Sequence, residues 1–177
     1  MDYFEAFKTS TQSAEDTPAH EPLPVPQAHD AHSLLTFIKD TCTDMYFTSD
    51  SDERVEVFQL SNASLRALEA DASKLQLPSA AEFAQLVCGT LTPNDEAFVA
   101  EKRPVGEFFG RLCGQQVSAA QQRLAKALEQ AFEKVVSEEA GAGAAYYRVG
   151  VPPTIEVYVV MLVDGQAVGI KTLSIET

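Results

Sequence analysis

A chain of 177 residues, 45% of them hydrophobic, is enough for one domain with a proper core, or for one domain and a tail. Its 26 Asp and Glu against 13 Lys and Arg give a formal charge of -13, a field that repels nucleic acid and anionic membranes and attracts basic partners. Phosphate contacts need clustered Lys and Arg, and no such cluster occurs, so direct nucleic-acid binding is excluded. Three cysteines, Cys42, Cys88 and Cys113, cannot all pair within one chain and show no metal-type spacing. Buried reduced thiols in a cytoplasmic protein are the expectation. The start Met1-Asp2-Tyr3-Phe4-Glu5 lacks the basic and apolar pattern of a signal peptide, and no apolar run is long enough for a membrane span.

Residues 1–31 read as an acidic, proline-rich arm, disordered or loosely docked. Pro18, Pro22, Pro24 and Pro26 withhold backbone donors there, while Tyr3, Phe4 and Phe7 supply aromatics that could dock on a neighbour. The domain proper is expected over 32–177. A helix capped by Ser33 buries Leu34, Leu35, Ile38, Cys42 and Met45 on one face. The chain then turns through Thr48–Glu53 into a strand carrying Val55, Val57 and Phe58–Leu60. Asn62–Leu77 fits a strand or a short helix. Ser79-Ala80-Ala81-Glu82 is a capping box for a short helix that Gly89 ends. Thr92-Pro93-Asn94-Asp95 suggests a further helix start. Gly106, Gly110 and Gly114 loosen the next stretch of chain, although Phe98, Phe108, Phe109 and Leu112 need burial.

The longest helix is expected from Ser118 to Glu138, burying Leu124, Leu128, Ala131, Phe132, Val135 and Val136. Tyr146–Val149 reads as a strand stopped by Gly150 and Pro152-Pro153. Ile155–Val163 and Ala167–Ile175 read as a hairpin about Asp164-Gly165. Helices flanking a terminal meander indicate an α+β fold on a mostly antiparallel sheet.

No catalytic constellation is visible, and an enzyme is not expected. His20, His29 and His32 lie in the arm or at its edge, which leaves the domain without the commonest general base and metal ligand. Glycine loops and nucleophile elbows are missing. Charge placement is what remains. Asp40, Asp44, Asp50, Asp52, Glu53 and Glu56 crowd one helix–turn–strand segment, and Asp95-Glu96 forms a second acidic point. Both could face a basic groove, or simply solvent. Glu176-Thr177 closes the sequence at the end of a strand, where fixed oxygens would suit a hard cation such as Mg²⁺.

The run Phe47-Thr48-Ser49-Asp50-Ser51-Asp52 with Val55-Glu56-Val57-Phe58 resembles the first acidic turn and strand of the nuclease A inhibitor-like family. Thr92-Pro93-Asn94-Asp95 resembles its second motif. Tyr147-Arg148-Val149-Gly150, Glu156–Val160, Gly169-Ile170 and terminal Glu176-Thr177 are similar to its closing strands. The resemblance implies a three-layer α/β/α sandwich like that of plant pathogenesis-related proteins. It also implies one-to-one inhibition of a sugar-non-specific DNA/RNA endonuclease of the ββα-metal type by a protein that is monomeric when free. The implied contacts are Asp50, Asp95 and Thr177, with Asp52, Glu53, Glu96 and Glu176 beside them. Thr177 would reach the partner's Mg²⁺, the inhibitor having no cofactor of its own. Two positions depart from the family pattern: Asp50 stands where a longer glutamate is usual, and Glu96 where an aromatic is. Both bear on which nuclease is the target. The alternative is a binding module of the same fold with a non-nuclease partner.

Overall fold

The computed structural model describes residues 30–61, 76–89, 97–114, 118–138 and 143–176. Five strands, β3 (Glu56–Leu60), β4 (Val99–Arg103), β5 (Ala144–Val151), β6 (Thr154–Val163) and β7 (Gln166–Ile175), form one sheet in the order β3-β7-β6-β5-β4. Every neighbouring pair is antiparallel. A separate small hairpin joins β1 (Tyr46–Thr48) to β2 (Asp52–Arg54). The helices are α1 (Ala31–Cys42), α2 (Ala80–Cys88), α3 (Val105–Gly114) and α4 (Ala119–Glu138). This is the α+β class that the sequence indicates.

Side chains alternate across a strand, so β5 and β6 feed two cores. On one face Tyr146, Val157, Val159, Met161 and Val163 pack with Leu34 and Ile38 of α1, Phe108 and Phe109 of α3, and Leu128, Phe132 and Val135 of α4. On the other, Tyr147, Val149, Tyr158 and Val160 pack with Phe83 and Ala84 of α2. Phe83 stacks on Tyr147 with ring centroids 3.9 Å apart, so one aromatic pair seats α2 on the sheet. Among the described residues no helix is long and apolar enough to cross a membrane.

Local chemistry sets the boundaries. The α2 capping box is present: the Ser79 side chain accepts from the Glu82 amide, and Glu82 reaches back to the Ser79 amide at 2.8 Å. Ser118 caps α4 by accepting from the Gln121 amide at 3.2 Å. Asp164 and Gly165 turn β6 into β7 with φ of 49° and 71°, as a primed two-residue turn requires.

Several expectations need correction. Asp30, not Ser33, caps α1: its carboxylate accepts from the Ser33 amide at 2.7 Å, and the helix starts two residues before Ser33. The acidic turn is the tip of the β1–β2 hairpin rather than a link between helix and strand. The Gly106–Gly114 segment is a helix, preceded by the unforeseen strand β4. The three glycines lie four apart on its exposed side while Phe108, Phe109 and Leu112 bury the opposite side, so packing overrides propensity. Strand β4 is an edge strand whose Glu101, Lys102 and Arg103 disguise it. Val136 is 43% exposed instead of buried. Among the thiols only Cys42 is buried, which pushes it up to about 12; Cys88 and Cys113 are half-buried. The readings of residues 1–29, of Asn62–Leu77 up to residue 75, and of Thr92–Asp95 fall outside the described residues.

Gly150 does not stop β5 but lies within it, pairing with Val99 and Ile155. Its φ is 144°, and a Cβ there would stand 2.8 Å from the Thr154 carbonyl oxygen. Gly150→Ala therefore forces both an unfavourable dihedral and a backbone clash. The expected cost is about 2 kcal/mol, read as a lower urea midpoint at unchanged slope. An unaltered midpoint would show that the strand relaxes freely there.

Candidate functional site

The described parts of the acidic segments meet at the end of the sheet where β7 finishes. The β1–β2 hairpin is anchored from below, because Phe47 is 1% exposed and stacks on Phe108 at 5.4 Å. Met45 and Val55, also buried, close its base, with the Val55 amide donating to the Met45 carbonyl at 3.0 Å. The hairpin tip is then fastened to the last residues of β7. The Ile175 amide donates to Ser49 Oγ at 2.9 Å, and the Asp50 amide donates to the Ile175 carbonyl at 3.2 Å. One step further, the Glu176 amide donates to the Pro153 carbonyl at 2.8 Å. Asp50 is exposed on this tip and stands one residue's contact away from Glu176.

The other carboxylates of the turn are engaged inside the hairpin. Thr48 Oγ1 donates to Asp52 at 2.8 Å, and Ser51 Oγ donates to Glu53 at 2.8 Å. Such local bonds hold the turn in one shape. The structure therefore brings Asp50, Asp52, Glu53 and Glu176 to one end of the molecule. Asp95, Glu96 and Thr177 lie outside the described residues.

Buried polarity is concentrated at this same end. Of the four buried polar or charged side chains among the described residues, Arg148, Thr172 and Ser174 all serve it; only Thr41 lies elsewhere. Thr172 Oγ1 donates to the Arg54 carbonyl at 3.0 Å and ties β7 to β2. Arg148 on β5 donates from Nη1 to Glu101 at 2.7 Å and from Nη2 to Glu176. Ser174 Oγ donates to the same Glu176 oxygen at 3.1 Å. Burial alone would raise the Glu176 carboxyl, but the hydrogen bonds from Arg148 and Ser174 and the Arg148 charge outweigh it and leave it lowered. Burial likewise opposes the Arg148 charge, and the bonds to Glu176 and Glu101 reverse that and raise it. Arg148 is not among the site residues expected from the sequence. Its signal is a lone charge in the run Ala145-Tyr146-Tyr147-Arg148-Val149, where every other side chain is apolar or aromatic.

A surface depression of about 200 Å³ beside the hairpin is lined by Glu53, Glu56, Glu156, Tyr158 and Lys171. Its carboxylates are spoken for: Lys171 pairs with Glu56 at 3.1 Å, and Tyr158 donates to Glu156 at 2.8 Å. Among the described residues no cluster of His, Cys, Asp and Glu could hold a metal ion. What the arrangement offers is a rigid acidic edge built from a turn and a strand end, the kind of surface a protein presents to a basic partner.

The nuclease A inhibitor-like family matches residues 32–177, and the chain belongs to that family of nuclease inhibitors. A comparison with curated proteins finds no match to the chain.

The lowered Glu176 carboxyl has a consequence for acid stability. A depressed carboxyl contributes stability that is fully present above its ordinary value, 4.5, and is lost as pH falls through the lower folded value. Urea midpoints measured from about pH 6 to about pH 3 should therefore fall less steeply for Glu176→Gln than for the parent protein. Parallel curves would show that Glu176 titrates as an ordinary surface carboxylate. Separately, Ser49→Ala removes the acceptor for the Ile175 amide and should cost about 1 kcal/mol. Faster hydrogen exchange at Ile175 would be the direct readout.

Proposed function

We propose that this protein inhibits a sugar-non-specific DNA/RNA endonuclease of the ββα-metal type, one to one, by filling its active-site groove with the acidic edge. The observation that carries the reading is the pair of hydrogen bonds joining Ser49 and Asp50 to Ile175, which makes the turn and the strand end a single body. Family membership supplies the nuclease. Charge supplies the fit, since a formal -13 is complementary to a groove that binds polyanions.

In this mechanism Asp50 and Asp95 take the places of substrate phosphates opposite basic groove residues, with Asp52, Glu53 and Glu96 deepening the field around them. Thr177 brings an oxygen ligand to the nuclease's own Mg²⁺, a position that the substrate phosphate needs. Several features support the reading. Asp50 is exposed on a hairpin pinned by Phe47, so binding requires little further ordering of the turn. Glu176, directly before Thr177, is held through both its backbone and its side chain. Strand β4, which comes after Asp95-Glu96 in the chain, starts with Val99 opposite Gly150, at the same end of the sheet as Ile175.

The test is DNA degradation by a Mg²⁺-dependent ββα-metal nuclease titrated with the protein. Inhibition should saturate at one equivalent. Deleting Thr177, or changing Asp50→Ala, should weaken it at least about tenfold, or 1.4 kcal/mol. Glu133→Ala should leave inhibition unchanged, because Glu133 lines a cleft with Ala144 at the opposite end of the sheet. Equal losses from Thr177 deletion and Glu133→Ala would sink the metal-bridge mechanism. The association rate should also fall as salt rises from about 0.05 to 0.5 M, and a rate indifferent to salt would remove electrostatic steering from the account.

A further inference from the structure

Arg148 stands in an unfavourable place for a charge. It is 8% exposed, on β5 between Tyr147 and Val149, which are both 0% exposed. Placing a guanidinium in such a run requires desolvation that ion pairs often only just offset, and an apolar side chain of similar length would serve stability as well or better. Two further buried polar atoms, Arg148 Nε and the Tyr146 hydroxyl, have no hydrogen-bond partner among the described residues. A strand selected for packing alone would avoid this arrangement.

What the arginine achieves is placement. One nitrogen holds Glu101 on β4 and another holds Glu176, the residue next to the last one. Glu101 and Glu176 are 39% and 35% exposed at their side chains, so neither needs the arginine to avoid burial as an isolated charge. The planar fork of a guanidinium can serve two carboxylates in fixed directions at once, which an ammonium on a flexible stem does less well. Through Glu101 the arginine braces β4, the strand that comes after the second acidic segment. Through Glu176 it braces the residue whose neighbour Ile175 carries the Asp50 turn.

We propose that Arg148 is the positioning residue of the acidic edge: its guanidinium, clamped between Glu101 and Glu176, sets where Glu176 stands relative to Asp50. The consequence for inhibition rests on the function proposed above, whereas the clamp itself is a property of the free protein. Arg148 touches neither substrate nor metal in this arrangement and acts through Glu176.

The decisive variant is Arg148→Met, which keeps length and apolar stem but removes the fork. Its melting temperature should stay close to that of the parent, while hydrogen exchange at the Glu176 amide, which donates to Pro153, should accelerate at least tenfold. Inhibition of a ββα-metal nuclease should weaken at least tenfold, with Arg148→Lys falling between the two. Glu176→Gln keeps the side-chain length and an acceptor for Ser174 but loses the charge. It should reproduce the exchange and inhibition changes, and it serves if Arg148→Met fails to fold. Unchanged Glu176 exchange in these variants would overturn the clamp, whatever the nuclease result. Faster exchange with inhibition within twofold of the parent would overturn its positioning role while leaving the inhibitor reading intact. If the parent protein inhibits no such nuclease, that reading fails instead, and Glu176 exchange still decides the clamp.

Discussion

Strand β7 pairs with β6 over its whole length, from Gln166 opposite Val163 to Ile175 opposite Thr154, and this ladder carries the last residues to a fixed place. The pairing is held on both faces by buried side chains, Val168 and Ile170 toward α1 and Ala167 toward the opposite side. On its other flank β7 pairs with β3 from Glu56 to Leu60, which fixes where the β1–β2 hairpin leaves the sheet. The hairpin then returns to Ile175. A strand end would ordinarily fray, but this one is bonded at Ile175 to Ser49 and Asp50, and at Glu176 to Pro153.

This arrangement separates two tasks that acidic residues could perform. Long-range attraction depends on the sum of charges and tolerates their rearrangement. Register depends on a few oxygens held in position, and here the holding is done largely by hydroxyl groups: Thr48, Ser49 and Ser51 within the turn, Thr172 and Ser174 along β7. Asp52 and Glu53 therefore contribute to the shape of the turn as well as to its field. Asp50 gains its fixed direction from its own backbone amide bonded across to Ile175.

The parts of the fold legible in the sequence are those where local and global signals agree. The Ser79–Glu82 box, the Asp164-Gly165 turn, the Leu34–Ile38–Cys42 stripe and the β-branched run of β6 each name their element outright. Legibility fails where tertiary burial decides alone. Three glycines disguise α3, whose stability comes from Phe108 and Phe109 against Phe132 and Tyr146. Three charges disguise β4, which needs only one neighbour. Within the site, Asp50 and Glu176 can be named from pattern and resemblance, but their contact through Ile175 spans more than a hundred residues, and no local spacing encodes it. Arg148 is visible as an anomaly in a strand; its meaning needs Glu101 and Glu176 in view at the same time.

That distinction separates the exposed carboxylates of the edge from the support beneath them. Exposed carboxylates that lie away from buried networks can be exchanged with little effect on folding. The support beneath them is less free. Arg148, Thr172 and Ser174 are buried, and each makes a bond that crosses from one segment to another or closes the tail. Losing Thr172 or Ser174 leaves its acceptor short of a donor, whereas the two partners of Arg148 are half-exposed and keep access to solvent. The outward positions are therefore the ones where substitution disturbs the frame least. Arg148, bonded to Glu101 and Glu176, and Gly150, held at a φ of 144°, belong to the frame instead.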